Sequence, residues 1–275
     1  IGYSSAEPDV DLETLQDLAG NLFNFLVDLT NTKDNDRFIL NGADTLTPPI
    51  VDTGVLDSAM STLITSWKSD TITTSDLIAD LQARTVDNGN LDAITDTVIG
   101  YSSTLSSGTA GRNFVRVSQS TEIDTTVFAN DDGFRDIMVA LAYMKSDALG
   151  PIADEVEIDE VTGLPTVLTD GAPGENLDEM TDNFYEVFNE LVGMVNKALD
   201  SIDQQRFKLE SARARIDEIK TNYLEEKSLL QTTIDEIENV DINEVALKLS
   251  NISTQIEASY GVTARIQQLS LVNFL

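Results

Sequence analysis

Residues Glu175 to Asn239 read ENLDEMTDNFYEVFNELVGMVNKALDSIDQQRFKLESARARIDEIKTNYLEEKSLLQTTIDEIEN. Apolar side chains fall at Leu177, Met180, Phe184, Phe188, Leu191, Val195, Leu199 and Ile202. They resume at Leu209, Ala212, Ile216, Ile219, Tyr223, Leu230, Ile234 and Ile237. Steps of three and four keep these positions on one side of an α-helix, and their persistence predicts a coiled-coil-like seam. The stretch contains no proline and little glycine. As one helix it would be roughly 100 Å long at 1.5 Å per residue. A rod of that length needs another helix along it.

Downstream, a polar break at Asn239 to Asn243 separates this stripe from a second one, formed by Val245, Leu249, Ile252, Ile256, Tyr260, Thr263, Ile266 and Leu269. Gly261 is a soft spot within it, because glycine costs a helix interior about 1 kcal/mol relative to alanine. From Ala258 to Leu275 there is no Asp or Glu, although the whole chain carries a formal charge of -31. From Ile266 onward the apolar residues occupy more than one helical face. A segment of this kind in so acidic a chain is expected to be covered by a partner rather than by water. The residues expected to form that interface are Val245, Leu249, Ile252, Ile256, Tyr260, Ile266, Leu269, Leu271, Val272, Phe274 and Leu275.

Composition narrows the chemistry. The 275 residues are enough to bury a real core, and 41 % hydrophobic content with a mean hydropathy of -0.11 argues against disorder of the whole. Forty-eight acidic residues against seventeen basic ones set the isoelectric point near 4.1, so nucleic-acid phosphate and anionic lipid repel the chain. Cysteine and histidine are both absent, which removes disulfides, thiol nucleophiles, Cys/His zinc sites and every His-based triad. No enzymatic activity, cofactor or metal is expected. The acidic run Asp154, Glu155, Glu157, Asp159 and Glu160 lacks EF-hand spacing and reads as solvated surface. No stretch reaches the length of a membrane span, and Ile1 to Val10 has neither the basic nor the apolar region of a signal peptide.

Upstream, Leu12, Leu15, Leu18, Ala19, Leu22, Leu26 and Leu29 predict an amphipathic helix, ended by the polar cluster Asn31 to Asp36. It covers only a fraction of the long rod. The first residue is Ile, so an N-terminal segment lost by processing or truncation is expected to supply the rest of the covering. Pro48-Pro49 forbids helix continuation and predicts a boundary near residue 50. Leu56 to Trp67 and Ser75 to Arg84 have helical spacing, the second with Ser75 as cap. Val115 and Val117, then Ile123, Thr125, Val127 and Ala129, alternate as a hairpin turning at Gln119 to Thr121. Asp131-Asp132-Gly133 is read as a helix cap, with the helix running on through Ile137 to Leu141. Val161 to Gly174 reads as loop or small hairpin. Gln204 to Lys220 holds Arg206, Lys208, Arg213, Arg215 and Lys220, to be paired along the helix with Glu210, Asp217 and Glu218 or offered to an acidic face of a neighbour. The expected organisation is an N-terminal rod part at 1–49, a projecting mixed α/β domain at 50–150, a long rod helix at 151–240 and a terminal assembly helix at 241–275. The fold class is mainly α with a smaller α+β domain carrying a β-hairpin.

Read from Glu238, the ending ENVDINEVALKLSNISTQIEASYGVTARIQQLSLVNFL resembles the C-terminal signature of the bacterial flagellin family, most nearly its hook-associated protein 3 branch. Asn31-Thr32, the run Arg37-Phe38-Ile39-Leu40 with Gly42, and Thr47-Pro48-Pro49 are similar to that family's juncture between rod and projection. Asp132, Phe134 and Arg135 are similar to the return of its chain to the rod. The resemblance implies an antiparallel helical rod and an extracellular structural subunit that joins hook to filament. It also implies export through the flagellar secretion apparatus without a cleaved signal peptide. The partners it implies are further copies of the chain in a helical or ring assembly, a neighbouring hook-associated protein, flagellin and an export chaperone. Bulk flagellin is the alternative within the family, and a coiled-coil adhesin or phage fibre protein is the alternative outside it.

Overall fold

The computed structural model describes residues 12–86, 92–118, 120–146, 156–158, 165–167, 172–174, 177–238 and 242–272. The protein is mainly helical with a small α+β part, and it divides into two compact units, Ile1–Arg213 and Ala214–Leu275.

The first unit opens with α1, Leu12–Thr30, whose apolar residues split into two stripes. Ala19, Phe23, Leu26 and Thr30 are buried, whereas Leu18, Leu22, Phe25 and Leu29 are exposed. The single stripe expected from sequence is therefore divided, because the core contacts a narrower arc than the apolar residues occupy. The principal neighbour of α1 is α6, Asp132–Met144. Near the start of α1, the Gln16 side-chain amide donates to the Ser146 carbonyl beyond the end of α6, at 3.0 Å, and Lys145 Nζ lies 3.9 Å from the centre of the Phe23 ring. The long helix α7, Leu177–Glu238, shares the same core through Phe184, Val187, Leu191 and Met194. The antiparallel partnership expected between α1 and the long helix is thus taken mainly by α6, a short helix carried in from the middle of the chain.

After α1 the chain makes the small ribbon β1, Lys33–Asp34, with β2, Arg37–Phe38. The Asn31 side chain behaves like a piece of backbone: its amide donates to the Ile50 carbonyl and its oxygen accepts from the Ile50 N–H, both at 3.0 Å. This pins the exit from the Pro48-Pro49 segment beside the end of α1. The helices α2, Gly54–Lys68, and α3, Thr74–Gln82, follow. The cap of α3 is Thr73 rather than Ser75. Its hydroxyl accepts from the Asp76 N–H while Asp76 returns a bond to the Thr73 N–H, so two otherwise orphaned donors are satisfied together. Two short turns, α4, Asp96–Ile99, and α5, Ser103–Ser106, are joined at Gly100, which has φ +93°. A Cβ at Gly100 would collide with the Asp52 carbonyl, so both the backbone angle and the space demand glycine.

β3, Phe114–Arg116, pairs antiparallel with β4, Glu122–Asp124, with Val115 opposite Ile123. The expected hairpin is present with shorter strands, and Gln119 of its expected turn lies outside the described residues. A third ribbon pairs β5, Val156–Ile158, with β6, Pro165–Val167, so part of the glycine- and proline-containing stretch is a hairpin. Among the acids of the run before it, Asp154, Glu155, Asp159 and Glu160 lie outside the described residues. One core joins α1, α2, α3, α6 and α7, with Leu56, Met60, Ile64, Trp67, Leu77 and Tyr143 at its centre. It draws residues from both sides of the expected boundaries near 50 and 150.

In the second unit α7 continues to Glu238 and α8 spans Ile242–Val272. Gly261 does not interrupt α8.

Candidate assembly surface

The sequence pattern of α7 is uniform, but its burial is not. Phe184, Val187, Leu191, Met194 and Ala198 are sealed into the core of the first unit, and beyond them Ala212 is the last buried residue described in the helix. From Thr221 to Glu238 every residue is exposed, including Tyr223, Leu224, Leu229, Leu230, Ile234 and Ile237. The stripe thus continues past the core that would cover it.

The same holds along α8 from Ile242 to Gln267. Val245, Leu249, Ile252, Ile256, Tyr260 and Ile266 keep between 44 % and 72 % of their surface open to water, and Ile242, Leu247 and Val262 are exposed beside them. Leu269, Leu271 and Val272 belong to the last turns of α8, while Phe274 and Leu275 lie outside the described residues. Six of the eleven expected interface residues are therefore observed, brought onto one helix and left uncovered. Large apolar side chains gain about 1.5–3 kcal/mol each when removed from water, so a helix displaying this many is stabilised by anything apolar that covers it. The charge on α8 favours close approach. Its ionic residues are Glu244, Lys248, Glu257 and Arg265, which sum to zero, and Glu244 and Lys248 are paired at 2.8 Å.

The basic stretch of α7 is used partly as expected, in pairing along the helix, and partly in a way not expected, in a contact made by Lys208 outside it. Arg206 pairs within the helix, 3.3 Å from Asp203 and 3.9 Å from Glu210. Lys208 reaches out of the helix to the β3–β4 hairpin, 3.1 Å from Asp124 and 3.3 Å from the Thr126 carbonyl. Arg112 approaches the same Asp124 oxygen at 2.8 Å. Partial burial alone would raise the pKa of Asp124. Hydrogen bonds from Thr126, and the bond and charge of Lys208, outweigh that and hold it well below the ordinary carboxylate range. This clamp, which fixes the hairpin to α7, joins residues 84 apart, and helical spacing alone could not reveal it.

The acidic entry to α6 also departs from the expected cap. Asp131 occupies the N-cap position, but its carboxylate accepts from the Phe128 N–H at 2.9 Å rather than from the helix, and burial raises its pKa. Asp132 pairs with Arg84 at 2.6 Å. Arg135 is 1 % exposed. Its guanidinium donates to the Ala83 and Ile94 carbonyls at 2.7 and 2.8 Å and to Asp136 at 3.0 Å, and lies 3.6 Å from Asp96. A planar fork of donors suits such a task, because it satisfies backbone carbonyls from two segments while meeting carboxylates at its edges. The arginine the sequence marked beside Phe134 is thus an internal tie holding the end of α3 and the approach to α4 against α6.

The helix carrying the exposed stripe has an independent counterpart. Residues 192–275 match the bacterial flagellin C-terminal helical region. This segment begins inside the buried half of α7 and includes all of α8. The match covers the C-terminal 84 of the 275 residues. No curated protein and no solved structure matches the chain. Among the described residues, no helix is long and apolar enough to cross a membrane.

Proposed function

We propose that the protein is an axial structural subunit of the bacterial flagellum whose α8, with the exposed end of α7, is buried between subunits. The observation that carries this reading is the coincidence of two independent facts. The segment matching the flagellin C-terminal region is also the segment whose apolar stripe the fold leaves open. Head-to-tail contacts that do not close on themselves generate a helical filament, and those that close generate a ring. The reading places the protein outside the cell after export, with an export chaperone covering the apolar C-terminal segment beforehand.

Within that reading we assign the hook-filament junction in preference to the bulk filament. The support is the resemblance of Thr47-Pro48-Pro49 and the Leu271 to Leu275 ending to the hook-associated protein 3 branch. Such a subunit contacts a hook-associated protein on one side and flagellin on the other. Electron microscopy of the purified chain, alone and after mixing with hook-associated protein and with flagellin, tests this assignment. A junction subunit forms short rings or stacks and binds both partners. Long uniform filaments grown from the chain alone would assign it to the filament instead. A strictly trimeric species unaffected by removal of residues 258–275 would place it with fibre proteins.

A further inference from the structure

The first unit, Ile1–Arg213, contains 38 Asp and Glu against 12 Lys and Arg, a formal charge of -26. Five of those twelve cations are nonetheless gathered at one place. Arg112 and Arg116 stand at the β3–β4 hairpin and Arg206, Lys208 and Arg213 on α7, and the bonds of Arg112 and Lys208 to Asp124 tie the two groups together. In the hairpin Phe114 is opposite Asp124 and Arg116 opposite Glu122, so these four side chains share one face, while buried Ile123 points to the other. Lys208 therefore reaches the face that carries Phe114 and Arg116. Phe114 and, beside Lys208 on α7, Phe207 are both exposed. Aromatic rings among arginines, on a unit otherwise dominated by carboxylates, have the composition of an interface rather than of a solvated face. The ion pairs of Arg206, at 3.3 and 3.9 Å, join exposed side chains, and such pairs are exchanged for those of a partner at little cost.

A surface of complementary character lies on α1. Leu18, Leu22, Phe25 and Leu29 are exposed, and their steps of four, three and four set them in one line about 17 Å long. Asp17 and Asp28, both exposed, fall on one flank of that line, and α1 contains three acids and no Lys or Arg. We propose that this anionic apolar stripe of one copy docks on the cationic aromatic patch of a second copy. Apolar side chains meet aromatic rings while Asp17 and Asp28 meet arginines, so each surface supplies what the other lacks. The two surfaces are different. A copy joined through its stripe therefore still offers its patch, and the contact propagates head to tail. The inference rests on the reading of the chain as a subunit among further copies, and it adds to the α8 contact a second one made by the first units alone.

Two charge reversals in the full chain, read by pelleting, test the contact. Asp17→Lys with Asp28→Lys makes the stripe cationic, and Arg206→Glu with Arg213→Glu makes the patch anionic; all four positions are exposed. Each altered chain alone should need about tenfold more protein to assemble, the scale of two exposed ion pairs turned into like-charge contacts. An equimolar mixture of the two should recover. The cationic stripe of the first fits the anionic patch of the second, and the native stripe of the second fits the native patch of the first. A chain that had lost its fold would not recover on mixing. The chain has no cysteine, so Leu22→Cys and Phe207→Cys introduced together give an independent check. Mild oxidation should produce a ladder of cross-linked oligomers from the double substitution and none from either alone. Reversals without effect, a mixture that fails to recover, or the lack of a ladder overturns this contact and, where the unaltered chain assembles, leaves the α8 contact standing. No assembly by the unaltered chain at any concentration overturns the self-assembly reading and this contact together.

Discussion

Replacing Leu249, Ile252 and Ile256 together by alanine should separate the stability of one copy from the association of many. Their exposures are 67 %, 55 % and 48 %, so roughly half of each side chain is still available for burial by a partner. Each substitution removes three carbons, worth about 0.8 kcal/mol apiece when fully buried, so covering the remaining half accounts for about 1.2 kcal/mol per residue and about 4 kcal/mol for the three. At 1.4 kcal/mol per factor of ten, the critical concentration for assembly should rise by about three orders of magnitude. Alanine is the best helix former, so α8 itself should survive, and surface changes of this kind alter monomer stability by only about 0.5 kcal/mol each. Three such truncations in a packed core would instead cost about 2–5 kcal/mol each and would melt most domains. Pelleting assays give the first quantity, and thermal unfolding of the unassembled chain by circular dichroism gives the second. A large loss of melting temperature with unchanged assembly would show that the stripe is packed inside its own fold, and the proposed interface would be wrong.

Arg135→Met should destabilise the first unit by about 3–5 kcal/mol in urea unfolding, because the Ala83 and Ile94 carbonyls and Asp96 lose their buried partner. Assembly should return where the variant remains folded. Gly100→Ala should cost clearly more than Gly108→Ala in the same measurement: both glycines have positive φ, but only at Gly100 does the added carbon meet backbone. The clamp at Asp124 carries a definite sign with pH. Its folded pKa lies below the unfolded value of about 3.9, so its stabilisation is complete above that value and fades as pH falls through the folded pKa. Asp124→Asn should therefore be most damaging near pH 7 and progressively less so below pH 4, as read from urea midpoints across that range. An effect independent of pH would mean that the carboxylate charge is not what the clamp uses.

The helical content of this protein and the extent of its longest helix were legible because a repeat of three and four persists from Leu177 to Ile237 without a proline. The terminal stripe was legible too, because an acid-free apolar segment in a chain of charge -31 contrasts with everything before it. Periodicity reports which side of a helix is apolar, and that is a local property of the chain. It does not report whether anything covers that side. Only the tertiary structure decided that α7 is sealed from Phe184 to Ala198 and open beyond Thr221, that α6 becomes the chief neighbour of α1, and that a second stripe of α1 faces water. In sequence Arg135 was marked only by its place beside Phe134 and Lys208 only as part of a basic stretch, and their roles depend on carbonyls and carboxylates brought from 41 to 84 residues away. Burial and long-range pairing are relations between distant segments, so they exist only once the chain has packed.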